Sequence, residues 1–234
     1  MALAKRIAVT LPAGPRIEDT VSRIQWAEEE GIADAWFSDS GAPDTLTQVA
    51  AIAHQTKNIR IGTAVTPVYT RSPSVLAASA NVIGQLLPDR FVMGLGSSSQ
   101  TIMGQFNGIP LDKPLTRVRE TAELVKIMLT GEKTNYDGET LFSKGYRQAP
   151  MENPPPIYLA ALRPKMIEMA AEVGDGVIFN LWPKAALPKM MEHIAIGAAK
   201  AGKKAEDVEI VNRAMVLCTD CLLYTSPSPR DKTV

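Results

Sequence analysis

Two cations flank the expected start of a helix in the segment Ala161-Leu162-Arg163-Pro164-Lys165. An apolar run ends at Ala161, and a helical pattern begins at Lys165. The unpaired backbone amides and the dipole of a helix start favour an anion, and both side chains would add charge-assisted hydrogen bonds. The segment therefore predicts an anion site that uses Arg163 and Lys165. The alternative is that both cations are simply solvated.

Asp39 is a lone carboxylate that follows the predicted strand at residues 33–38. A capping role is less expected for Asp39 than for Asp44, because Asp44 lies immediately before the next predicted helix. The position therefore favours a site role for Asp39, and it is our candidate catalytic residue.

Three serines, Ser97, Ser98 and Ser99, follow the predicted strand at residues 91–95. The preceding Gly94-Leu95-Gly96 begins like a dinucleotide-binding fingerprint, but Ser99 occupies the third glycine position and a long loop follows instead of a helix. We therefore reject a Rossmann interpretation. The serine hydroxyls and the exposed amides of this loop are suited to an anion, with a plain polar loop as the alternative.

Four more side chains that follow predicted strands are candidates for contact with a substrate. They are Tyr69, Arg71, Asn180 and Trp182. Tyr69 and Arg71 have the alternative role of fixing their own loop, and Trp182 has the alternative role of packing at the rim.

Other chemistries are not expected. His54 falls near a helix end and His193 in the middle of a helix, so neither histidine predicts acid–base or triad chemistry. No cluster of His, Asp and Glu has the spacing of metal ligands. Cys218 and Cys221 form a C-x-x-C pair without a second pair or a nearby histidine, so we predict no metal site.

Composition excludes further classes. The chain has 25 basic and 25 acidic residues and a formal net charge of zero. Because the basic residues are scattered, a nucleic-acid partner is not expected. The N-terminus lacks the apolar core of a signal peptide, and no apolar run approaches the roughly 20 residues that span a bilayer. The sequence therefore predicts a cytoplasmic protein that does not bind membranes and acts on a small molecule.

Short β-branched runs alternate with longer amphipathic runs, which indicates a parallel sheet. The predicted strands cover residues 6–11, 33–38, 59–66, 91–95, 157–161, 176–180 and 208–217. The predicted helices cover residues 17–30, 45–55, 73–87 with Ser72 as N-cap, 115–129, 165–173 and 188–201, with a long loop at 96–113 and a hairpin turn at Asp137-Gly138. Seven strands without a switch point favour a (β/α)₈ TIM barrel, in which loops after the strands carry the site.

The end of the chain breaks this pattern. Such a barrel typically needs about 250 residues, and the 234 residues here hold about one strand too few. Residues 221–234 have no helical or strand period and look like translated adapter sequence. We therefore expect a C-terminally truncated barrel over residues 1–220 and a non-native tail over 221–234. A barrel with two open edges is expected to fold poorly or self-associate.

Three segments carry a family resemblance. Residues 62–73, residues 90–99, and residues 106–110 with 113–120 resemble the luciferase-like monooxygenase superfamily, nearest its deazaflavin-dependent oxidoreductases. The likeness covers about residues 5–220. It implies a barrel that holds a deazaflavin, coenzyme F420, at the carboxyl ends of its strands, with FMN as the alternative cofactor.

The resemblance also implies residue roles. Asp39 would contact the deazaflavin head group, and Ala64 and Val65, joined by a cis peptide bond, would form a bulge behind the ring. The serine loop and the helix start at residues 163–165 would hold the ribityl chain and phosphate. The cofactor-binding set implied in this way is Asp39, Ala64, Val65, Thr66, Gly96, Ser97, Ser98, Ser99, Ala161, Arg163 and Lys165.

Two departures leave the activity open. Ser40 stands where several deazaflavin enzymes carry a histidine, and Ser99 stands where the sugar-phosphate dehydrogenases of the family carry a catalytic glutamate. The favoured hypothesis is hydride transfer between F420 and a small organic substrate. The alternatives are an FMN-dependent monooxygenase and a non-catalytic flavin-binding barrel. The resemblance also implies that the intact homologue is a homodimer.

Overall fold

Seven parallel strands form a nearly closed barrel in the computed structural model, which describes residues 6–12, 14–40 and 42–216. The strands are β1 (Ala8–Thr10), β2 (Asp34–Phe37), β3 (Arg60–Thr63), β4 (Thr66–Pro67), β5 (Phe91–Gly96), β6 (Asn135–Asp137), β7 (Phe142–Lys144), β8 (Ile157–Ala160), β9 (Gly176–Asn180) and β10 (Glu209–Arg213). The order around the wall is β1-β2-β3-β5-β8-β9-β10. β4 continues β3 and pairs with β5, and β6 and β7 form an antiparallel hairpin. The barrel and the hairpin at residues 137–138 are therefore confirmed.

Six helices pack around this wall. They are α1 (Ile17–Glu29), α2 (Thr45–Ile52), α3 (Pro73–Leu86), α4 (Pro114–Leu129), α5 (Pro164–Val173) and α6 (Leu187–Lys200). Asp44 caps α2 by accepting a hydrogen bond from the Thr47 amide at 2.8 Å, and Ser72 caps α3 from just before Pro73. Both caps follow from side-chain acceptors placed beside unpaired helix amides. None of the described helices is long and apolar enough to cross a membrane.

Three predicted boundaries are wrong. β1 and β10 are shorter than residues 6–11 and 208–217, and each has a barrel neighbour on one side only among the described residues. A strand with one neighbour has fewer backbone hydrogen bonds to extend it. The expected loop at 96–113 contains a π-helical turn, Thr101–Phe106, which buries Met103 completely.

The core has two parts. The larger part lies between the strands and the helices, where Phe37, Phe91 and Phe179 are almost fully buried. A smaller cluster fills the barrel interior and consists of Trp36, Val92, Tyr158 and Ile178, with Ala64, Val65 and Val211 packed against it. This interior layer forms the floor on which a molecule bound at the carboxyl ends of the strands would rest.

Charged residues close the amino end of the barrel. Arg60, the first residue of β3, donates to both carboxylate oxygens of Asp34 on β2 at 2.9 Å. The same guanidinium pairs with Glu209, the first residue of β10, and Arg6 donates to Asp34 at 2.9 Å. Burial acts to lower the pKa of Arg60, but the hydrogen bonds that Arg60 donates to Glu209 and Asp34 outweigh burial and raise it. The arginine therefore stays charged and links strands that are far apart in the sheet.

A β-bulge interrupts the third strand. Gly62 pairs with Val92, and Thr66 pairs with Leu95. Three residues on one strand therefore face two on β5, which defines a bulge. The peptide bond between Ala64 and Val65 is cis, as the resemblance implies. The prediction of an unbroken strand over 59–66 is wrong, because this bulge divides it into β3 and β4.

Some sequence-based expectations lie outside the described residues. They concern Cys218, Cys221 and the tail at residues 221–234.

Candidate active site

A cavity of about 520 Å³ lies at the carboxyl ends of the strands. It collects residues from the carboxyl ends of six strands of the wall and from the connections that follow them, in agreement with the general position of sites in such barrels. The predicted site residues that line it are Asp39, Ala64, Val65, Ser97, Ser98, Ser99, Arg163 and Asn180. The structure therefore brings together side chains that are up to 141 positions apart in the sequence, from Asp39 to Asn180.

The bulge at Ala64 and Val65 forms part of the cavity wall. The Ala64 amide donates to the Phe37 carbonyl oxygen at 2.7 Å, and the Ser38 hydroxyl donates to the Ala64 carbonyl oxygen at 3.2 Å. A Cβ added to Gly96 would lie 2.7 Å from Val65 Cγ2 and 3.1 Å from Ala160 Cβ. Glycine at position 96 therefore permits the close approach of the bulge and β8 beneath the cavity.

Asp39 and Arg71 form an ion pair at the cavity edge. Arg71 Nη1 lies 2.8 Å from Asp39 Oδ2, and Arg71 Nη2 pairs with Asp44, the cap of α2. The Asp39 side chain is 8% exposed and that of Arg71 16%. Arg71 thus holds Asp39 in place from a position fixed by the helix cap. We expected Arg71 to contact substrate. It lines a smaller adjoining pocket of about 170 Å³ instead of the main cavity.

Burial raises the pKa of Asp39 above its ordinary value, although the charge and hydrogen bond of Arg71 oppose that shift. Burial also acts to raise the pKa of Asp44, but hydrogen bonds from Thr47 and Arg71 outweigh burial and lower it. Two carboxylates that share one arginine therefore shift in opposite directions. Asp39 is the member of the pair that exchanges a proton at higher pH.

The serine loop has a constrained backbone. Ser98 has a φ of 63°, a left-handed conformation that few residues other than glycine adopt. The Ser99 hydroxyl accepts from the Ile102 amide at 3.2 Å and so stabilises the start of the π-helical turn. Ser97 and Ser98 are half-buried beside the cavity. Their hydroxyls and amides are the loop groups best placed to contact a bound anion.

The two predicted anion-binding cations differ in position. Arg163 is the N-cap residue of α5 and lines the cavity, with Pro164 at the first helical position. Lys165 is exposed and is not among the lining residues. A helix start that faces the cavity offers unpaired amides next to the Arg163 guanidinium. Arg163 is therefore the stronger candidate of the two.

Five other predicted residues lie outside the main cavity lining. Thr66 and Ala161 are buried, and the Ala161 amide donates to the Ile178 carbonyl oxygen at 3.1 Å. The Tyr69 hydroxyl donates to the Asp112 carbonyl oxygen at 2.5 Å, which fixes its loop. Trp182 is half-buried against the core, and Gly96 lies beneath the lining.

Sequence reasoning missed several lining residues. Arg213, the last residue of β10, is the most polar of these, and the others include Ile102, Pro114, Leu162, Met166 and Phe179. Arg213 was missed because the seventh strand was predicted to continue to residue 217. The rule that sites lie at carboxyl ends of strands would have selected Arg213 if the end had been placed correctly.

The histidines lie away from this site. His54 is exposed in a short helical turn after α2, and His193 Nδ1 lies 3.0 Å from Glu168 Oε1 between α5 and α6. In the part of the chain that the structure describes, no group of three His, Cys, Asp or Glu residues has the arrangement of a metal site.

Two curated relatives resemble this chain at the sequence level. The 5,10-methylenetetrahydromethanopterin reductase of Methanolobus tindarius is 32% identical over 185 residues, which are 79% of this chain and 56% of the relative. The F420-dependent glucose-6-phosphate dehydrogenase of Nocardia farcinica is 32% identical over 213 residues, which are 84% of this chain and 63% of the relative. The chain thus spans less than two thirds of the length of either relative.

Solved structures support the fold. The coenzyme F420-dependent tetrahydromethanopterin reductase from Methanopyrus kandleri superposes with a TM-score of 0.82 at 22% identity, over 88% of this chain and 65% of that structure. An F420-dependent secondary alcohol dehydrogenase in complex with an F420-acetone adduct gives a TM-score of 0.79 at 18% identity, over 88% of this chain and 67% of that structure.

A family model described as luciferase-like monooxygenase matches residues 1–221. Since that match covers nearly the whole chain, this chain belongs to the luciferase-like monooxygenase family.

Proposed function

We propose that this chain binds the deazaflavin coenzyme F420 in the 520 Å³ cavity and belongs to an oxidoreductase that transfers a hydride between F420 and a small organic substrate. The observation that carries this proposal is the bulge at Ala64 and Val65, which lies in the cavity wall directly above Gly96. A wall built from backbone and two small side chains, with glycine at position 96 beside it, fits the flat face of a ring system.

The other groups fit the remaining parts of such a cofactor. Arg163 and the start of α5 supply a cation and unpaired amides for a phosphate, and Ser97 and Ser98 supply hydroxyls for a polyol chain. Met166 and Ile178 give the cavity an apolar side on which a ring system can pack. The lining thus combines apolar surface with a few polar groups, as cofactor sites do.

A deazaflavin, when bound, supplies the hydride chemistry, so the protein positions the ring and tunes its charge. Asp39 is the residue best suited to tune it. Its Oδ2 accepts from Arg71, and among the described residues its Oδ1 has no hydrogen-bond partner. The raised pKa of Asp39 also lets this carboxyl hold a proton at Oδ1 at a higher pH than an ordinary aspartate does.

The relatives support F420 as the cofactor. Three of the four proteins compared above are named F420-dependent enzymes, namely the glucose-6-phosphate dehydrogenase, the tetrahydromethanopterin reductase and the secondary alcohol dehydrogenase. Because the chain spans 56% to 63% of the curated relatives, the activity of the whole protein is part of our proposal. We also propose that the chain alone is impaired as an enzyme.

FMN is the second candidate cofactor. A type II Baeyer-Villiger monooxygenase from Pseudomonas putida, solved in complex with FMN, has the same fold with a TM-score of 0.74 at 17% identity. Ser40 and Ser99 stand where several deazaflavin enzymes carry a histidine and the sugar-phosphate dehydrogenases of the family carry a glutamate, and these two departures keep a non-catalytic flavin-binding barrel as a further candidate. An FMN enzyme would use reduced flavin and oxygen, so the cofactor decides the reaction class.

Titration of the full chain with F420 and with FMN tests the proposal by the fluorescence of each cofactor. We expect tighter binding of F420, and loss of that binding in Gly96→Val because the new side chain displaces the bulge. Gly84→Ala in α3 is the control, since its Cβ would come close to the flexible end of Met151 and lie at an ordinary contact distance of 3.5 Å from Pro155. If FMN binds more tightly than F420, the proposed cofactor is FMN instead of F420. If neither cofactor binds, the proposal of a flavin site is refuted.

A further inference from the structure

We propose that Arg213 binds an anionic group of the substrate, so that the substrate is a small organic anion; this inference rests on the proposed F420 site. Arg213 lines the same cavity as the bulge at Ala64 and Val65. Arg213 is not part of the proposed phosphate site, which consists of Arg163 and the start of α5 and lies after a different strand.

The alternation of β10 directs Arg213 into the barrel. Glu209 pairs with Arg60, and Val211 packs against the interior cluster. Side chains two positions apart lie on the same face of a strand, so Glu209, Val211 and Arg213 all face the barrel axis. Asn180 is paired in register with Arg213 on β9 and also lines the cavity.

Arg213 and the bulge lie on opposite sides of the barrel. Four steps along the sheet order separate β3 from β10, through β5, β8 and β9. The described wall has six steps between its seven strands, and in a complete eight-stranded barrel four steps are half of the circumference. A ring that packs against Ala64 and Val65 therefore turns its other face toward Arg213 and Asn180, which is where a reacting molecule must lie.

The charge distribution of the cavity agrees with an anionic occupant. Arg163 and Arg213 are the basic residues among those that line it, and Asp39 is the acidic residue. Asp39 is already paired with Arg71. Among the described residues, the structure shows no ion pair for either Arg163 or Arg213, so the two guanidinium groups leave the cavity with an excess of positive charge. A planar guanidinium binds carboxylate or phosphate through two parallel hydrogen bonds.

The inference is tested by calorimetric titration with phosphoglycolate, an organic anion, and with glycolamide, a small uncharged molecule. Both probes are added to the full chain alone and to the chain saturated with F420. We expect Arg213→Gln to weaken phosphoglycolate binding about 10- to 100-fold, as loss of a charge-assisted hydrogen bond does. Glycolamide binding and F420 affinity should be unchanged. Arg213→Lys keeps the charge and should recover part of the affinity.

Control variants separate this inference from the proposed function. Lys189→Gln removes an exposed charge from α6, away from the cavity, and should leave phosphoglycolate binding unchanged. If Arg213→Gln weakens F420 instead of phosphoglycolate, the arginine belongs to the cofactor site and the inference is overturned. If wild-type chain binds no F420, the proposed function fails. In that case the titration without F420 tests whether Arg213 binds an anion. Equal phosphoglycolate affinity in wild type and Arg213→Gln would overturn the inference about Arg213.

Discussion

The hydroxyl of Thr63 donates to the Gly94 carbonyl oxygen at 2.8 Å and accepts from the Gly94 amide at 2.9 Å. One side chain thus satisfies both backbone groups of Gly94 at the point where the bulge interrupts the pairing of β3 with β5. A Cβ on Gly94 would lie 1.8 Å from the Thr63 carbonyl oxygen, so position 94 requires glycine.

Thr63→Val should destabilise the chain, because the replacement keeps the shape of the side chain but leaves two buried backbone groups unpaired. An unpaired buried group costs about 1–3 kcal/mol. Urea unfolding of both proteins measures the free energy difference. Thr116→Val is the control, since Thr116 is half-buried in α4 and its hydroxyl makes no hydrogen bond among the described residues. Equal stability of wild type and Thr63→Val would show that the hydroxyl does not support the bulge.

Arg163→Ala should weaken F420 binding by roughly 1.5–3 kcal/mol, the contribution of a hydrogen bond to a charged group. Lys165→Ala should have a smaller effect, because Lys165 is exposed and lies outside the cavity lining. Fluorescence titration measures both affinities, with Lys189→Ala on α6 as the control. Unchanged affinity in both variants at positions 163 and 165 would refute the phosphate site.

Stability should depend on pH through Asp39, whose ordinary pKa is 3.8 and whose pKa is raised by burial in the folded chain. A raised pKa means that the folded state binds more protons than the unfolded state. The stabilisation that comes from protonated Asp39 is therefore fully present below pH 3.8 and is lost as the pH rises through the raised pKa. Wild type should therefore lose stability relative to Asp39→Asn across that window. Urea unfolding at a series of pH values measures the difference. The opposite slope would mean that Arg71 outweighs burial and lowers the pKa.

Self-association is expected of the 234-residue chain, because β1 and β10 each have one barrel neighbour among the described residues. An unpaired strand edge is a template for another chain. Ile7, whose side chain is 77% exposed, lies beside β1, and Ile7→Lys should reduce the association. Light scattering during size-exclusion chromatography measures it, with Met191→Lys on α6 as the control. A monomer that melts cooperatively would contradict the expectation.

The alternation of apolar patterns predicted the barrel, its seven strands and the region of the site, because these features follow from local sequence. The ends of β10 depend on pairing with β9 rather than on local pattern, and for that reason Arg213 escaped prediction. Asp39 was predicted to contact the cofactor and Arg71 to contact the substrate, but their contact with each other was not predicted. Their ion pair joins residues 32 positions apart, and a contact over that distance in sequence cannot be predicted from the periodicity of a strand or a helix. The cis bond at Ala64 came from family resemblance and not from the residues themselves.

The ion pair between Arg60 and Glu209 joins two walls of the site at the opposite end of the barrel. Arg60 begins the strand that leads to the bulge, and Glu209 begins the strand that ends at Arg213. Because these strands are four and five residues long, we expect the spacing between their first residues to affect the spacing between their last residues. A substitution at Arg60, which contacts neither the cavity nor a ligand, would therefore change which substrates fit between the two walls.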